Sequence, residues 1–386
     1  MTKLKRTCPI CNNANGEVLH MQSFLLDDNN PLPSSYDVVS CTQCSFVYAD
    51  VDASQEDYNK YYENFSKYES TEVSSGGGTT PGDKQRLSDT ADDIMMHIAN
   101  KEAKILDIGA AMGGLLINLK QNNYNNLYAL EPSKTCVTYM KNEYKLNAYQ
   151  GSILDDFDEI FNGKKFDFII LSHVFEHIYD LKKTIINIRS LLSDTGKIYI
   201  EVPDASGYND CYVVPYYYFD MEHINHFDQH SLQLLMGTHG FRAIASGQKN
   251  ITASESVMYP AVWTLFEINT ISKNAILKYI EKSKLNDHNE VLSDIITSGK
   301  ECVVWGAGSF TKRLLAQSDL RECNIQFFID KDENKQEKYI DDIIIKSPDA
   351  LKNFRGTIIV ASALFASEIV REIKNDQYDN EIIILG

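Results

Sequence analysis

Two cysteine pairs, Cys8-Pro9-Ile10-Cys11 and Cys41-Thr42-Gln43-Cys44, constrain this chain more than any other feature. Two residues inside each pair let both thiolates turn onto one metal ion. The 29 residues from 12 to 40 are enough to bring the second pair back to the first. Four thiolates suit a closed tetrahedral Zn2+ site, which holds a small domain together and leaves no open position for chemistry. Cys8, Cys11, Cys41 and Cys44 are therefore expected to ligate one structural zinc in a module over residues 1–52. A redox role fits poorly, because the pair occurs twice and neither copy opens a helix.

Catalysis, if any, must lie downstream. With 386 residues, 43% of them apolar and 24% charged, the chain has material for two or three domains with their own cores. Lys and Arg total 37 against 54 Asp and Glu, so the net charge is −17. That field repels a phosphate-rich polymer and argues against nucleic acid as the main partner. No apolar run reaches the length of a membrane span, and the charged start Met1–Arg6 is followed by no apolar stretch, so no signal peptide is expected. Cys136, Cys211, Cys302 and Cys323 show no pairing pattern, which fits a reducing, cytoplasmic setting.

Short strands are expected at 38–41 and 45–48. Residues 53–83 form a Tyr- and Gly-rich connector, with Tyr58, Tyr61 and Tyr62 close together and a Ser-Ser-Gly-Gly-Gly run at 74–78. That run reads either as a plain linker or as a loop that folds over a ligand. An amphipathic helix over 84–99 opens an alternating region. Strands at 104–108, 127–130, 166–171 and 196–202 interleave with helices at 114–121, 135–143 and 181–192. Such alternation implies a parallel sheet with helices on both faces. This domain spans 84–249. A mostly helical connector is expected over 250–297, and a second alternating domain over 298–386. The fold class is thus α/β: a Rossmann-like domain flanked by a small zinc-binding module and a C-terminal Rossmann-like domain.

The stretch Ile105-Leu106-Asp107-Ile108-Gly109-Ala110-Ala111-Met112-Gly113 follows a strand and precedes a helix. Gly109 and Gly113 permit a tight turn and close approach of a ligand, and the helix beyond offers free N–H groups. Glu131 ends the next strand, about 22 residues after the turn, where a carboxylate binds ribose hydroxyls. So far a dinucleotide and S-adenosylmethionine (SAM) fit equally. Asp107, two residues before the first glycine, suits the cationic methionine end of SAM and suits a pyrophosphate poorly. The pattern resembles motif I of class I SAM-dependent methyltransferases, with Ala111 at their usual middle glycine. That resemblance places Ser152 at the adenine contact and Ser172 and His173 beside the transferred methyl group.

The order of parts extends the likeness. A four-cysteine module, a Tyr-rich connector, a SAM domain, the motif Glu222-His223-Ile224-Asn225-His226-Phe227 and a second Rossmann-like domain together resemble the sugar C-methyltransferase family of deoxysugar biosynthesis over nearly the full length. The resemblance implies methylation of a carbon next to the ketone of a nucleotide-linked keto-deoxysugar. It also implies that Glu222 and His223 carry the acid/base role and that His177 is a second histidine near the methyl group. Imidazole suits proton transfer near neutral pH. Asp220 stands where family members often carry Tyr, and the Glu-His-Ile-x-x-Phe pattern also occurs in methyltransferases that act on sugar hydroxyls. O-methylation of a surface glycan or its precursor is therefore the alternative reading. A SAM-fold binding or scaffold protein without turnover is the alternative of another class. A second turn, Trp305-Gly306-Ala307-Gly308-Ser309-Phe310-Thr311, with Asp330 ending the next strand, has the form of a dinucleotide fingerprint but carries Thr311 at the third glycine. The resemblance gives this domain a role in closing the substrate cleft without NAD.

Overall fold

The structure, a computed structural model, describes residues 2–64, 80–155, 157–254, 257–285 and 288–385. The glycine run at 76–78 lies outside them. The chain divides into two compact units, Met1–Asn269 and Thr270–Gly386.

In the first unit seven strands share one sheet: β1 (Ile105–Ile108), β2 (Leu127–Glu131), β3 (Asn147–Gln150), β4 (Phe166–Ser172), β5 (Leu192–Pro203), β6 (Phe241–Ser254) and β7 (Val257–Ile268). Their spatial order is β3-β2-β1-β4-β5-β7-β6. The strands β1 to β5 pair in parallel, and β7 runs antiparallel to both β5 and β6. Covered on both faces, β1 is buried throughout, as a central parallel strand must be. The chain leaves β1 for β2 and β3 on one side, then returns to β4 on the other. Opposite departures open a crevice beyond the carboxyl ends of β1 and β4, where ligands bind in open α/β sheets. The following helices start on local signals. Ser133 caps Lys134–Glu143 by accepting from Cys136 N, and Asp180 caps Leu181–Leu191 by accepting from Lys183 N.

The expectation of a helical connector over 250–297 is corrected for 250–254 and 257–268, which lie in β6 and β7. Being an interior strand, β7 has apolar side chains on both faces, including Val262, Leu265 and Phe266. It therefore lacks the alternation that marks a half-buried strand, and such a run cannot be told from a buried helix by period alone. Helices do form at Ile271–Leu285 and Asn289–Ser298.

The cysteine module is a second sheet, built from Thr2–Lys3, Asn15–Ser23, Ser35–Cys41 and Val47–Asp50. Its fifth strand, Asn225–His226, comes from far downstream and pairs antiparallel with Val47–Asp50, with Asn225 opposite Tyr48 and His226 opposite Val47. The connector supplies the helix Gln55–Asn64, whose Tyr58 and Tyr61 pack in a core with Tyr36, Val38, Ala49 and Ile224.

In the second unit Ile343–Lys346, Asn324–Ile329, Glu301–Trp305, Thr357–Val360 and Ile382–Ile384 form a parallel sheet in that order, with Tyr339–Ile340 antiparallel at its edge.

Candidate active site

The first glycine turn closes β1 with three left-handed residues: Gly109 (φ 76°), Ala111 (φ 46°) and Gly113 (φ 79°). A Cβ on Gly109 would lie 2.7 Å from Val174 Cγ2, and one on Gly113 would lie 2.9 Å from Met140 Cγ. Both glycines are therefore required by conformation and by space. Gly113 also precedes Gly114–Gln121 with no side-chain cap, which leaves the helix N–H groups open to a ligand. Glu131, at the end of β2, reaches back over the turn. Its Oε2 accepts from Ala111 N at 2.9 Å and its Oε1 from Ser133 N at 3.0 Å. Asp107 is buried on β1, and burial, reinforced by the Glu131 charge and offset by Arg86, pushes its carboxyl up to about 8. Arg86, from the helix Pro81–Met95, is held by Asp83 at 2.8 Å. Ser152 follows β3, where its N–H donates to Asp155 Oδ2 at 2.7 Å. These groups fit an adenosine-bearing cation: left-handed glycines for close backbone approach, an acid for the ribose and a second acid for an ammonium.

Across the crevice the chain leaves β4 through Ser172, His173 and Val174 into a short 3-10 turn, Phe175–His177. The Val174 methyl that fills the space beside Gly109 packs this loop directly on the first turn. His173 is itself left-handed (φ 58°) and sits between two carboxylates, with Nδ1 3.2 Å from Glu176 Oε1 and Nε2 3.3 Å from Glu201 Oε1. Burial alone would lower its basicity, but the bonds to Glu176 and Glu201 outweigh it and raise the value. Glu201 is fully buried on β5. Burial would raise its value, yet the bond from His173 and the nearby Lys249 charge hold it far below the usual carboxylate range. Lys249 on β6 bridges Glu201 and Asp93 at 2.7 Å each, and Tyr259 on β7 places its hydroxyl 3.2 Å from His173 Nε2. Sequence reasoning named His173 but missed its partners, because they come from three strands, the loop after β4 and a helix.

The Glu-His-Ile-Asn-His motif comes to the same loop. The rings of His177 and His223 meet edge to face with centroids 4.8 Å apart. Ligand atoms of Glu176, His177 and His223 all lie within 4.8 Å of one another. His177 Nδ1 lies 3.0 Å from the Glu222 carbonyl oxygen. A carbonyl only accepts, so the neutral ring carries its proton on Nδ1 and leaves its lone pair on Nε2, 3.9 Å from Glu176 Oε1. The carboxylate of Glu222 accepts from Tyr61 at 2.9 Å through Oε1. Glu176 Oε2 and Glu222 Oε2 are buried and have no hydrogen-bond partner among the described residues. Orphaned carboxylate oxygens of this kind mark a place for a donor-bearing ligand. Glu176 and Tyr61 are the site residues that sequence reasoning passed over, although Glu176 stands beside His177 in the chain. The second histidine of the Glu-His motif differs in kind: burial pulls His226 down to about 4, so it is a neutral and weak base.

The four thiols of the N-terminal module also converge. Cys8 and Cys44 Sγ lie 3.5 Å apart, as do those of Cys11 and Cys41, and all four fall within 4.8 Å of one another. A tetrahedron with metal–sulfur bonds near 2.3 Å spaces its sulfurs by about 3.8 Å, so the group can hold one ion. Both pairs are followed by a left-handed residue, Asn12 and Ser45 (φ 60° each), and each turn closes with the same backbone bond, Asn12 N to Cys8 O and Ser45 N to Cys41 O at 2.9 Å.

In the second unit the other glycine turn is closely packed at Gly306 and open at Gly308. A Cβ on Gly306 would meet Ala361 O at 2.4 Å, and Asp330 accepts from Ala307 N and pairs with Lys335, both at 3.0 Å.

Comparison with known proteins agrees with this geometry. Residues 83–246 match the family described as "Methyltransferase domain", and residues 298–384 match one described as "C2185-like, N-terminal". No curated protein matches the chain. Among solved structures, a Pyrococcus horikoshii OT3 protein is 16% identical, with 54% of this chain and 99% of that one covered at a TM-score of 0.39. A SAM-dependent methyltransferase from Clostridium acetobutylicum ATCC 824 is 14% identical, covering 55% and 99% at 0.37. The N-methyltransferase NodS of Bradyrhizobium japonicum WM9 is 13% identical, covering 50% and 99% at 0.37. At such scores these likenesses say nothing of substrate. Among the described residues no helix is long and apolar enough to cross a membrane. With the matched family, the sheet and the glycine turn on the crevice in agreement, residues 83–246 form a class I SAM-dependent methyltransferase domain.

Proposed function

We propose that this methyltransferase acts on a nucleotide-linked keto-deoxysugar and methylates the carbon beside its ketone, with His223 as the base. The observation that carries the reading is the meeting of His177 and His223 beside the partnerless buried oxygen of Glu176, on a loop packed against the first glycine turn. Two imidazoles and a free carboxylate oxygen suit an acceptor rich in hydroxyls with one acidic C–H bond. SAM, when bound, supplies an electrophilic methyl group on a sulfonium. Asp107 holds the methionine ammonium, Glu131 the ribose hydroxyls and Ser152 the adenine edge, while Ser172 and His173 border the methyl. His223 takes the proton from the acceptor carbon. The electron pair left behind would delocalise into the ketone, and that carbon would take the methyl group while the methyl–sulfur bond breaks and its electron pair stays on the departing thioether sulfur. Glu222 orients His177 through its carbonyl, and its carboxylate is steadied by Tyr61. One structural zinc on Cys8, Cys11, Cys41 and Cys44 belongs to the same reading.

The test is a panel of nucleotide-linked keto-deoxysugars with methyl-labelled SAM, read by mass change and by the site of label. Label on carbon supports the reading. Label only on oxygen turns it to the hydroxyl-methylating alternative, and SAM binding without transfer to any acceptor leaves the scaffold reading.

Two further outcomes follow from the cofactor side. Glu131→Ala should weaken SAM binding by roughly 1.5–3 kcal/mol, the value of hydrogen bonds to a charged group. A Gly308→Val change in the second unit should leave that affinity intact. Calorimetry on both variants checks the pair, and the opposite pattern would move the cofactor to the second unit. Asp107 must be ionised to pair with an ammonium, yet it titrates at about 8 in the ligand-free protein. SAM binding should therefore tighten by up to about tenfold per pH unit as pH rises toward that value and level off above it, with proton release on the acid side. For folding, the raised value means that Asp107 favours the folded, ligand-free state in acid. That contribution is present in full below the value of about 3.9 for an unfolded Asp and is lost as pH rises through the folded one. A dissociation constant flat between about pH 6 and pH 9 would place Asp107 away from the ammonium.

A further inference from the structure

We propose that Arg6, in the cysteine module, is a positioning residue of the acceptor site: with Asn225 it clamps the two histidine loops at their working separation. The proposal rests on the reading of His177 and His223 as the acid/base pair.

Arg6 is 4% exposed, and its guanidinium meets backbone and amide oxygens. Nη1 donates to Ile224 O at 3.2 Å, and Nη2 donates to Tyr179 O at 2.9 Å and to Asn225 Oδ1 at 3.0 Å. The cation also lies over the Tyr179 ring, 4.6 Å from its centroid. Asn225 completes the clamp by donating through Nδ2 to Phe175 O at 2.9 Å and Ile178 O at 2.7 Å. These partners bracket the chemistry in the chain. Residues 175, 178 and 179 surround His177, and residues 224 and 225 follow His223. One backbone bond, Ile224 N to Glu176 O at 2.9 Å, joins the loops directly, and the arginine–asparagine network surrounds it.

Burying a cation among neutral oxygens is costly, and an apolar side chain would fill the same space at lower cost. What an apolar residue cannot do is hold three acceptors from two loops in fixed relative positions, which the planar arginine fork does. Arg6 is itself anchored from the module. Its N–H donates to Asp50 Oδ1 at 2.7 Å, and its carbonyl accepts from Tyr48 at 3.2 Å. Tyr48 and Asp50 lie on the strand that pairs with Asn225–His226. The order of the cysteine module is thereby transmitted to the loops that carry His177 and His223. This gives the module a part in catalysis although its thiols lie outside the crevice.

The experiment uses full-length protein with isotope-labelled histidine, so that the ring-to-ring contact of His177 and His223 can be read by NMR without an acceptor. Metal content and SAM affinity are measured alongside. In Arg6→Ala the contact and the pH titration of both rings should change, with metal content and SAM affinity as in the wild type. Arg6→Lys should restore only part, since an ammonium cannot span the three acceptors. The exposed neighbour change Lys5→Ala should move nothing. With an acceptor from the panel, Arg6→Ala should lower kcat by up to about 100-fold, the scale of a small misplacement of reacting groups. If Arg6→Ala does not fold, Asn225→Asp serves instead. It keeps an acceptor for Arg6 but loses the donors to Phe175 O and Ile178 O, and it should give the same ring changes. Unchanged ring signals in either folded variant overturn the clamp. A wild-type protein that shows the ring contact and binds SAM but methylates no carbon acceptor overturns the acceptor reading alone.

Discussion

Replacing His223 with alanine is expected to lower methyl transfer by about 100- to 10,000-fold, the range for removal of a positioned base. SAM affinity should hardly change, because the groups proposed to hold the cofactor lie at the ends of β1 to β4 and His223 enters from another loop. Deprotonation precedes transfer in carbon methylation, so a second measurement isolates it. In deuterated water without SAM, the native enzyme should exchange the acidic proton of the acceptor, and the variant should not. Exchange that survives in the variant would shift the base to His177, whose ring meets that of His223. Methylation without exchange in either protein would favour oxygen as the acceptor atom.

Removing the metal should have the larger structural effect. Zinc binding contributes on the order of 10 kcal/mol to the folding of small thiolate-held modules. Chelation or Cys41→Ser should therefore disorder the sheet that contains Asn15–Ser23, Ser35–Cys41 and Val47–Asp50. Since Asn225–His226 is the fifth strand of that sheet, hydrogen exchange should rise there as well. Amides of the turn from Gly109 to Gly113 belong to the other sheet and should stay protected. Protein that carries no metal yet keeps the exchange pattern of the native form would refute the zinc assignment. An exchange rise confined to residues 2–50, with 224–226 protected, would refute the coupling between module and motif.

Much of the first glycine turn was legible in the sequence because its determinants are local. A strand, a turn with left-handed glycines and a helix start occupy consecutive residues, and the acid at the end of β2 falls at a spacing set by one helix and one strand. The cysteine pairs are legible for the same reason, since two residues between thiols suffice to aim both at one point. The alternation of strands and helices from β1 to β5 carries its own period, and so does that of the second unit. The interior strand β7 carries none, because burial on both faces removes it, and so a helix was expected where a strand formed.

The acceptor side was decided by tertiary structure. The sequence by itself named His177, Glu222 and His223 as candidates, but adjacency in the chain says nothing of which way neighbouring side chains point. Only the fold turns the Glu222 carbonyl to His177 and its carboxylate to Tyr61, and only the fold brings Glu176 to the pair. It also joins Arg6 to Asn225 across 219 positions of chain. Such contacts depend on the closure of long loops, whose cost is met by many interactions at once, and no short window of sequence encodes them.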